Sequence, residues 1–228
     1  MRPVLKNEDP NITVSEYSEY RAYLTSNLGY YCSYCERRLE HGIEIEHIRP
    51  KTLYSDLELR WENLLISCRN CNAIKGHKDV IIDEFIWPHL DNTALAYQYS
   101  TGGIVRVSTN LDDIQKEKAL RLMNLVGLDR TPSLDVSKNP KERDNRWKFR
   151  MTAWDKAEDL KSDLMENNTP IARRLIIDIA VQTGYFSVWM SVFQSDNEMK
   201  KDLITAFTGT DSNCYDQVTL DYIVKGCL

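Results

Sequence analysis

Two Cys-x-x-Cys pairs constrain this chain more than any other feature. They are formed by four of the six cysteines, Cys32, Cys35, Cys68 and Cys71. Each pair is typical of a tight knuckle whose two sulfurs point at one metal ion, and two knuckles complete a tetrahedral zinc site. Because four thiolates leave no coordination position open, we predict a structural zinc ion. Such a site folds a small loop-rich unit through its metal.

Two other interpretations of the cysteines stay open. The first is a pair of redox dithiols, which is disfavoured because the residues around Cys32 do not form the strand-to-helix pattern of a redox motif. The second is a bare zinc ribbon that only binds DNA, RNA or protein.

Polar residues of a particular kind lie between the knuckles and directly after them. Glu46 and His47 are adjacent, Asn63 precedes the second knuckle, and Asn72 follows it three residues before Lys75. A carboxylate and an amide oxygen suit a hard cation such as Mg²⁺. An imidazole titrates near neutrality, so it is able to take a proton from water. These residue types indicate metal-dependent cleavage of phosphodiesters.

The stretch from Cys32 to Gly76 resembles the HNH nuclease family, also called the ββα-metal nucleases. Four blocks carry the resemblance: Cys32-Ser33-Tyr34-Cys35, Ile45-Glu46-His47-Ile48-Arg49-Pro50-Lys51, Trp61-Glu62-Asn63-Leu64-Leu65 and Cys68-Arg69-Asn70-Cys71-Asn72-Ala73-Ile74-Lys75-Gly76. The third family position is Asn72 instead of histidine, as in the HNH domain of CRISPR effector nucleases. This HNN variant favours Mg²⁺ or Mn²⁺, since an amide is a poorer ligand than imidazole for softer ions.

The resemblance implies a role for each polar residue. His47 matches the general base, and Asn63 matches the residue that fixes the loop and orients that base. Glu46 and Asn72 match the ligands of the catalytic metal. A solvated strand carboxylate is the alternative for Glu46, and a plain turn or capping residue is the alternative for Asn63.

Three basic residues are candidates for contact with the nucleic-acid backbone. Lys75 shares a predicted helix face with Asn72, so its ammonium is expected to reach the scissile phosphate. Arg49 and Lys51 follow His47 directly. Solvated surface charge is an equally good interpretation of all three.

The adjacency of Glu46 and His47 raises a geometric problem. Neighbouring residues of a regular strand face opposite sides, so these two side chains do not meet in one site. We therefore expect a twist or a bulge at the end of this strand, a feature that is common next to active sites.

The expected function is metal-dependent cleavage of DNA that leaves 5′-phosphate and 3′-hydroxyl ends. The compact blocks and the helical tail also resemble the HNH subunit of Septu-type anti-phage systems, in which an ABC-type ATPase forms the complex. Within the enzymes, the alternative is a stand-alone restriction or mobile-element nuclease. Outside them, the alternatives are a non-catalytic zinc module that binds nucleic acid or protein, and a protein-interaction subunit.

The charge balance bears on how DNA is bound. The chain has 228 residues, a formal net charge of −5 and a pI of about 5.5. Phosphate neutralisation normally dominates DNA affinity, so either a local basic patch or a partner protein must supply the contact. We favour the partner, an ATPase of the ABC type.

The sequence also gives an expectation about location. No apolar run reaches the roughly 18 residues of a membrane span, and Met1-Arg2-Pro3-Val4 does not begin a secretory signal. Zinc knuckles imply a reducing compartment, so we expect a cytoplasmic protein without membrane contact.

The predicted fold class is α+β, with a ββα-metal core stapled by the zinc site and a mostly helical C-terminal region. We place a nuclease domain, with an N-terminal helix and a β addition, at residues 1–110, and a helical region that binds a partner at residues 111–228. Helical periodicity predicts helices over the following ranges: Thr13–Leu28, Leu111–Gly127, Lys141–Met165, Pro170–Phe193 and Asp196–Phe207. Gly102-Gly103 between alternating runs predicts a hairpin.

A basic run from Lys138 to Arg150 is a further candidate for contact with a nucleic-acid backbone. Glu142 and Asp144 interrupt it. A solvated helix face is therefore the slightly favoured interpretation.

Overall fold

The structure, a computed structural model, describes residues 1–141 and 143–228. Glu142, which the sequence places in the basic run, lies outside the described residues. The helices and strands are, in chain order, α1 (Arg21–Leu28), β1 (Ile43–His47), β2 (Leu64–Cys68), α2 (Arg69–Lys75), β3 (Tyr97–Ser100), β4 (Ile104–Val107), α3 (Asp113–Val126), α4 (Arg146–Glu166), α5 (Pro170–Thr183), α6 (Phe186–Val192) and α7 (Asn197–Ala206). This is the predicted α+β class.

The first sheet and the helix after it form the predicted ββα unit. Strands β1 and β2 are antiparallel, and their pairing runs one to one from Ile43 opposite Cys68 to His47 opposite Leu64. Helix α2 follows β2 without a loop, and the Cys68 sulfur caps it by accepting the Cys71 N–H at 3.4 Å. Thus one zinc ligand also fixes the start of the helix that carries Asn72.

The buried side chains form two clusters. One is built by the N-terminal segment, both sheets, the zinc cysteines and α3, with the fully buried Trp87 among its members. The other is built by helices α4 to α7 and contains the stacked pair Trp189 and Phe193. Removal of this apolar surface from water stabilises both clusters. Helix α3 therefore packs with the nuclease-like part of the chain, while the predicted boundary at residues 110 and 111 stays a prediction.

A buried carboxylate connects the two parts. Glu36, directly after the first knuckle, accepts hydrogen bonds from the Arg2 N–H at 2.8 Å and the Tyr99 hydroxyl at 3.1 Å. It also accepts from the N–H and the hydroxyl of Ser187 in α6, each at 2.7 Å. The knuckle is thus tied to the C-terminal helices by charge-assisted hydrogen bonds.

The helix boundaries differ from the prediction in three places. The N-terminal helix begins at Arg21, after a 3-10 turn at Tyr17–Tyr20, and α4 begins at Arg146 instead of Lys141. The predicted helix over Pro170–Phe193 is two helices, α5 and α6, because Gly184 and Tyr185 have positive φ angles of 79° and 59°. The hairpin at Gly102-Gly103 is confirmed.

The break between α5 and α6 has a tertiary cause. The Tyr185 N–H donates to the Glu36 carbonyl at 2.9 Å, so the chain turns to meet the first knuckle. A Cβ at Gly184 would lie 2.7 Å from the Arg38 nitrogen, so this close approach requires glycine.

Among the described residues, no helix is both long enough and apolar enough to span a bilayer.

Candidate active site and zinc site

The four cysteines of the two knuckles meet at one buried point. Their sulfur atoms all lie within 4.8 Å of one another, and the Cys35 and Cys68 sulfurs are 3.7 Å apart. Zn–S bonds of about 2.3 Å in a tetrahedron separate the sulfurs by about 3.8 Å. The cluster therefore fits a structural zinc ion with all four ligand positions filled.

An arginine that no motif predicted lies against this cluster. Arg146, at the start of α4, is 3% exposed, and its guanidinium donates to the Cys71 sulfur at 3.0 Å. It also forms a two-point ion pair with Asp144 and donates to the carbonyls of Val126 and Gly127. A zinc ion with four thiolates carries a net charge of −2, so this cation partly neutralises the site.

Glu46 is buried on the side of β1 that faces α2. Its Oε1 lies 2.7 Å from the Lys75 ammonium, and the two side chains are 2% and 1% exposed. The same ammonium donates to the His47 carbonyl at 2.7 Å. Burial raises the pKa of Glu46 to about 7, and the charge of Lys75 only partly offsets this.

His47 has different neighbours from Glu46. Its Nε2 lies 3.0 Å from the Glu58 carbonyl, and its ring meets the Tyr17 ring edge to face at 4.8 Å. A carbonyl only accepts, so Nε2 carries the proton and the neutral ring has its lone pair at Nδ1. Burial lowers the pKa of His47. A neutral imidazole with a free Nδ1 is the form that a general base needs.

Of the twist or bulge expected at Glu46 and His47, the bulge is absent from the described pairing. Both residues pair in register, with Leu65 and Leu64 respectively, so the prediction of a bulge is wrong. Their side chains have separate contacts, as neighbours on a regular strand should. Lys75 connects the two residues, through the carboxylate of one and the main chain of the other.

Asn63 lies where a loop-fixing residue should lie. Its side-chain oxygen accepts the Arg49 N–H at 2.8 Å, and its amide nitrogen donates to the carbonyls of Arg49 and Leu57 at 3.0 and 3.2 Å. Leu57 is next to Glu58, whose carbonyl contacts His47. One side chain therefore fixes both the loop after His47 and the segment that orients its ring.

Asn72 lies on α2 one turn before Lys75 and is half-buried. Residues three apart share a helix face, and Lys75 reaches Glu46, so Asn72 is on the side of α2 that faces β1. A buried carboxylate that Lys75 only partly neutralises, together with an amide on the facing helix, suits a hard divalent cation.

The three residues predicted to contact nucleic acid differ in their surroundings. Lys51 is 39% exposed, pairs with Glu58 at 2.6 Å and lies over the Tyr17 ring. The Arg49 guanidinium stacks on the Tyr54 ring at 3.6 Å. Lys75 is buried against Glu46, so the interpretation as a solvated helix end is wrong, while its predicted phosphate contact stays a prediction.

The basic run is only partly a surface. Arg146 and Arg150 are buried, and Arg150 donates to the carbonyls of Gly103 and Leu128. Lys138 pairs with Asp129. The interpretations as a solvated helix face and as a backbone-binding face are therefore wrong for Arg146 and Arg150, whereas Lys138 is exposed.

Sequence reasoning missed Tyr17, the Glu58 carbonyl and Arg146. Tyr17 has helical spacing with the core residues that follow it, which gives no sign of a histidine contact. Every residue has a main-chain carbonyl, so the residue types do not indicate that the one at Glu58 contacts His47. Arg146 lies 75 residues from Cys71, beyond the reach of any local motif.

Comparison with known proteins agrees with this geometry. The family model for the HNH endonuclease matches residues 32–78, which span both knuckles, Glu46, His47 and Asn72. This stretch of the chain is therefore similar to an HNH endonuclease domain.

A longer stretch of the chain is similar to the Septu protein PtuB of Bacillus thuringiensis. The two are 33% identical over 105 residues, which is 43% of this chain and 38% of that protein. The match thus spans less than half of the relative's length.

Proposed function

We propose that this chain is a metal-dependent DNA endonuclease of the HNH type. The observation that carries the proposal is the orientation of His47. Its Nε2–H is bound to the Glu58 carbonyl, which leaves Nδ1 as an acceptor on the strand that also carries the buried Glu46. The HNH match at residues 32–78 supports the same reaction class.

Each of the four candidate side chains has a separate role in the proposed hydrolysis. His47 Nδ1 accepts a proton from the attacking water, and the lowered pKa keeps the imidazole neutral near pH 7. Asn63 maintains the orientation of His47 through the two loops that it bridges. Glu46 and Asn72 would bind Mg²⁺ or Mn²⁺. Such an ion supplies positive charge to the scissile phosphate and the leaving 3′ oxygen.

The products of this reaction carry 5′-phosphate and 3′-hydroxyl ends. We further propose that the chain is the nuclease subunit of an anti-phage defence complex in the cytoplasm, with an ABC-type ATPase as its partner. The similarity to a Septu protein supports the defence role. The net charge of −5 supports a subunit that obtains part of its DNA contact from a partner.

The proposal is tested by incubating supercoiled plasmid with the zinc-loaded chain and Mg²⁺, alone and with the co-purified ATPase. We expect nicking or linearisation by the wild type and none by His47→Ala. Circular dichroism and zinc content should be equal for the two proteins, since His47 is outside the knuckles. The DNA ends are then read by ligation, which requires a 5′-phosphate.

Two results would oppose the proposal. Equal cleavage by His47→Ala would remove His47 as the base. No cleavage by a folded, zinc-loaded protein with its ATPase present would favour the non-catalytic zinc module.

A further inference from the structure

A groove with unpaired arginines lies at the opposite end of β1 from His47. It has a volume of about 510 Å³ and is bounded by the first knuckle, the start of α2, and helices α4 and α5. Arg37, Arg38 and Arg69 line it. Within the described part of the chain, none of the three has a carboxylate within ion-pair distance.

The three guanidinium groups differ in their contacts. Arg38 donates to the Val181 carbonyl at 3.3 Å, and its Nε is buried without a hydrogen-bond partner among the described residues. Arg37 lies 5.0 Å over the ring of Phe149, which is 44% exposed. Arg69 is exposed. The guanidinium group of arginine is a rigid, planar set of donors whose geometry matches a phosphate. In the described part of the chain, none of these three guanidinium groups is paired with a carboxylate.

The rim of the groove adds to this positive surface. Asn70, another lining residue, donates to the Arg143 carbonyl at 3.4 Å, which brings the exposed Arg143 from the basic run to the groove. Glu40 is the one carboxylate among the described lining residues, and it is exposed. Three lining arginines against one carboxylate leave a net positive charge in a chain whose total charge is −5.

The groove is bounded by the same helix, α2, that carries Asn72, and by the residue that precedes β1. Arg69 begins α2, one turn before Asn72, so it lies about 4.5 Å from it along the helix axis. Gly42 lines the groove and precedes β1, so His47 is about 17 Å further along the strand. At about 3.4 Å of duplex axis per nucleotide, this separation is roughly five nucleotides.

We propose that this groove binds the sugar-phosphate backbone of DNA on one side of the cut, within about five nucleotides of the scissile phosphate. The inference rests on the proposed function, because it takes the DNA to pass His47. Arg37 and Arg69 bind phosphates, and the exposed face of Phe149 packs against a sugar or a base. The contact is independent of sequence, since phosphates are the same at every position.

The test measures binding and does not depend on cleavage. The zinc-loaded full chain is titrated into a fluorescein-labelled duplex without added Mg²⁺, and the anisotropy is followed at NaCl concentrations from about 50 to 200 mM. For Arg37→Gln/Arg69→Gln we expect about a tenfold or greater loss of affinity near 100 mM salt. The slope of log K against log salt should become shallower by roughly 1.8, for two phosphate contacts at about 0.9 each.

Two further variants separate the groove from general charge. Arg174→Gln/Lys201→Gln makes the same change of net charge at exposed positions on α5 and α7, and should bind as the wild type does. Arg37→Lys/Arg69→Lys preserves both charges, so the slope of log K against log salt should equal that of the wild type. Zinc content and thermal stability serve as folding controls for every variant.

The proposal is overturned if the groove variant keeps the wild-type affinity and slope, if the control pair loses as much, or if the wild type does not bind the duplex at 50 mM salt. A groove variant that binds DNA normally but loses its ATPase would identify the occupant as an acidic protein surface instead. Plasmid cleavage with unaltered binding in the groove variant removes the groove and leaves the proposed function. If DNA binding depends on the groove but the protein does not cleave plasmid, the groove proposal stays and the proposed nuclease function is removed.

Discussion

Glu46 and His47 are adjacent in the sequence, and the structure shifts their pKa values in opposite directions. Burial raises the pKa of Glu46 to about 7 and lowers the pKa of His47. Both shifts favour the neutral form, as expected for groups removed from water. Even beside the Lys75 ammonium, the carboxyl of Glu46 therefore needs a further cation to ionise fully near pH 7, and the imidazole of His47 is available as a base.

The raised pKa of Glu46 predicts how metal binding depends on pH. A divalent ion must displace the proton, so Mg²⁺ affinity should be level above pH 7 and should fall about tenfold per pH unit below it. Calorimetric titration of the zinc-loaded protein at several pH values measures this. Glu46→Gln, the control, should bind weakly without this pH dependence. A constant affinity of the wild type between about pH 6 and pH 8 would contradict the prediction.

The same shift has a consequence for the metal-free protein. The folded chain binds the Glu46 proton more tightly than the unfolded chain, where the pKa is near its ordinary value of 4.5. This group therefore stabilises the fold least at high pH. Its contribution declines as the pH rises from 4.5 to about 7 and is constant above that.

Arg146 predicts a zinc site that depends on a residue outside the knuckles. Arg146→Gln removes a donor to the Cys71 sulfur and leaves Asp144 buried without its partner. Breaking a buried pair in this way costs about 3–5 kcal/mol. We expect lower zinc affinity in a chelator competition and a lower melting temperature. Arg174→Gln is the exposed control, and Cys68→Ser, which removes a ligand, should unfold the whole unit.

At the scale of elements, the contact between α2 and β1 depends on Lys75. Its ammonium bonds the Glu46 carboxylate and the His47 carbonyl, both at 2.7 Å, so it attaches the helix to the strand. The β1–β2 pairing in turn brings Asn63 next to the loop that follows His47. The three-element unit therefore positions all four predicted catalytic and metal-binding residues.

Lys75→Met separates this structural role from a phosphate contact. The variant leaves the His47 carbonyl without its donor and the buried Glu46 carboxyl without its cation, so that carboxyl takes up a proton, and the unfolding free energy in denaturant titrations should fall by about 1–3 kcal/mol. Mg²⁺ should restore more stability to the variant than to the wild type, since it supplies the missing charge at Glu46. Glu46→Gln/Lys75→Met, which removes both charges, should gain little from Mg²⁺. A variant as stable as the wild type would instead support the phosphate contact.

At the scale of the whole molecule, Glu36 joins the part of the chain that holds the ββα unit to the C-terminal helices. It accepts from Arg2, Tyr99 and twice from Ser187, in a position that is 2% exposed. The two hydrophobic clusters meet around this residue, since Tyr185 and Val188 beside Ser187 belong to the first. The C-terminal helices are therefore part of the support of the zinc knuckle.

Glu36→Ala should destabilise both parts together. It leaves several buried donors without an acceptor, at about 1–3 kcal/mol for each unsatisfied group. We expect a lower denaturation midpoint in one cooperative transition, followed by tryptophan fluorescence and by zinc release. Glu40→Ala, an exposed carboxylate on the same knuckle, is the control. Zinc release at the wild-type midpoint would show that the knuckle does not depend on this contact.

Much of the HNH core could be predicted from the sequence because its information is local. The ligand spacing of each knuckle fixes a zinc site, and the order of the four blocks predicts a hairpin followed by a helix. The hairpin at Gly102-Gly103 follows from the same kind of short-range signal. The predicted catalytic roles depend on the family resemblance and stay predictions.

Other features were decided by contacts between residues far apart in the chain. Periodicity predicts one helix over Pro170–Phe193, and the approach of the first knuckle divides it in two. A lysine at a helix end is usually solvated, and here the burial of Glu46 draws Lys75 inside. Arg146 has the same appearance in the sequence as its exposed basic neighbours, and only the position of the zinc thiolates distinguishes it.

The sequence by itself determined the four-cysteine site, because ligand spacing acts within a few residues, and its four blocks predicted the ββα core and the residue types of the candidate active site through their resemblance to a known family. The tertiary structure alone decided which charges are buried, which arginines stay free for a ligand and how the C-terminal helices support the knuckle. A charged group is buried only where the folded chain supplies a partner, and that partner is chosen by packing and not by position in the sequence.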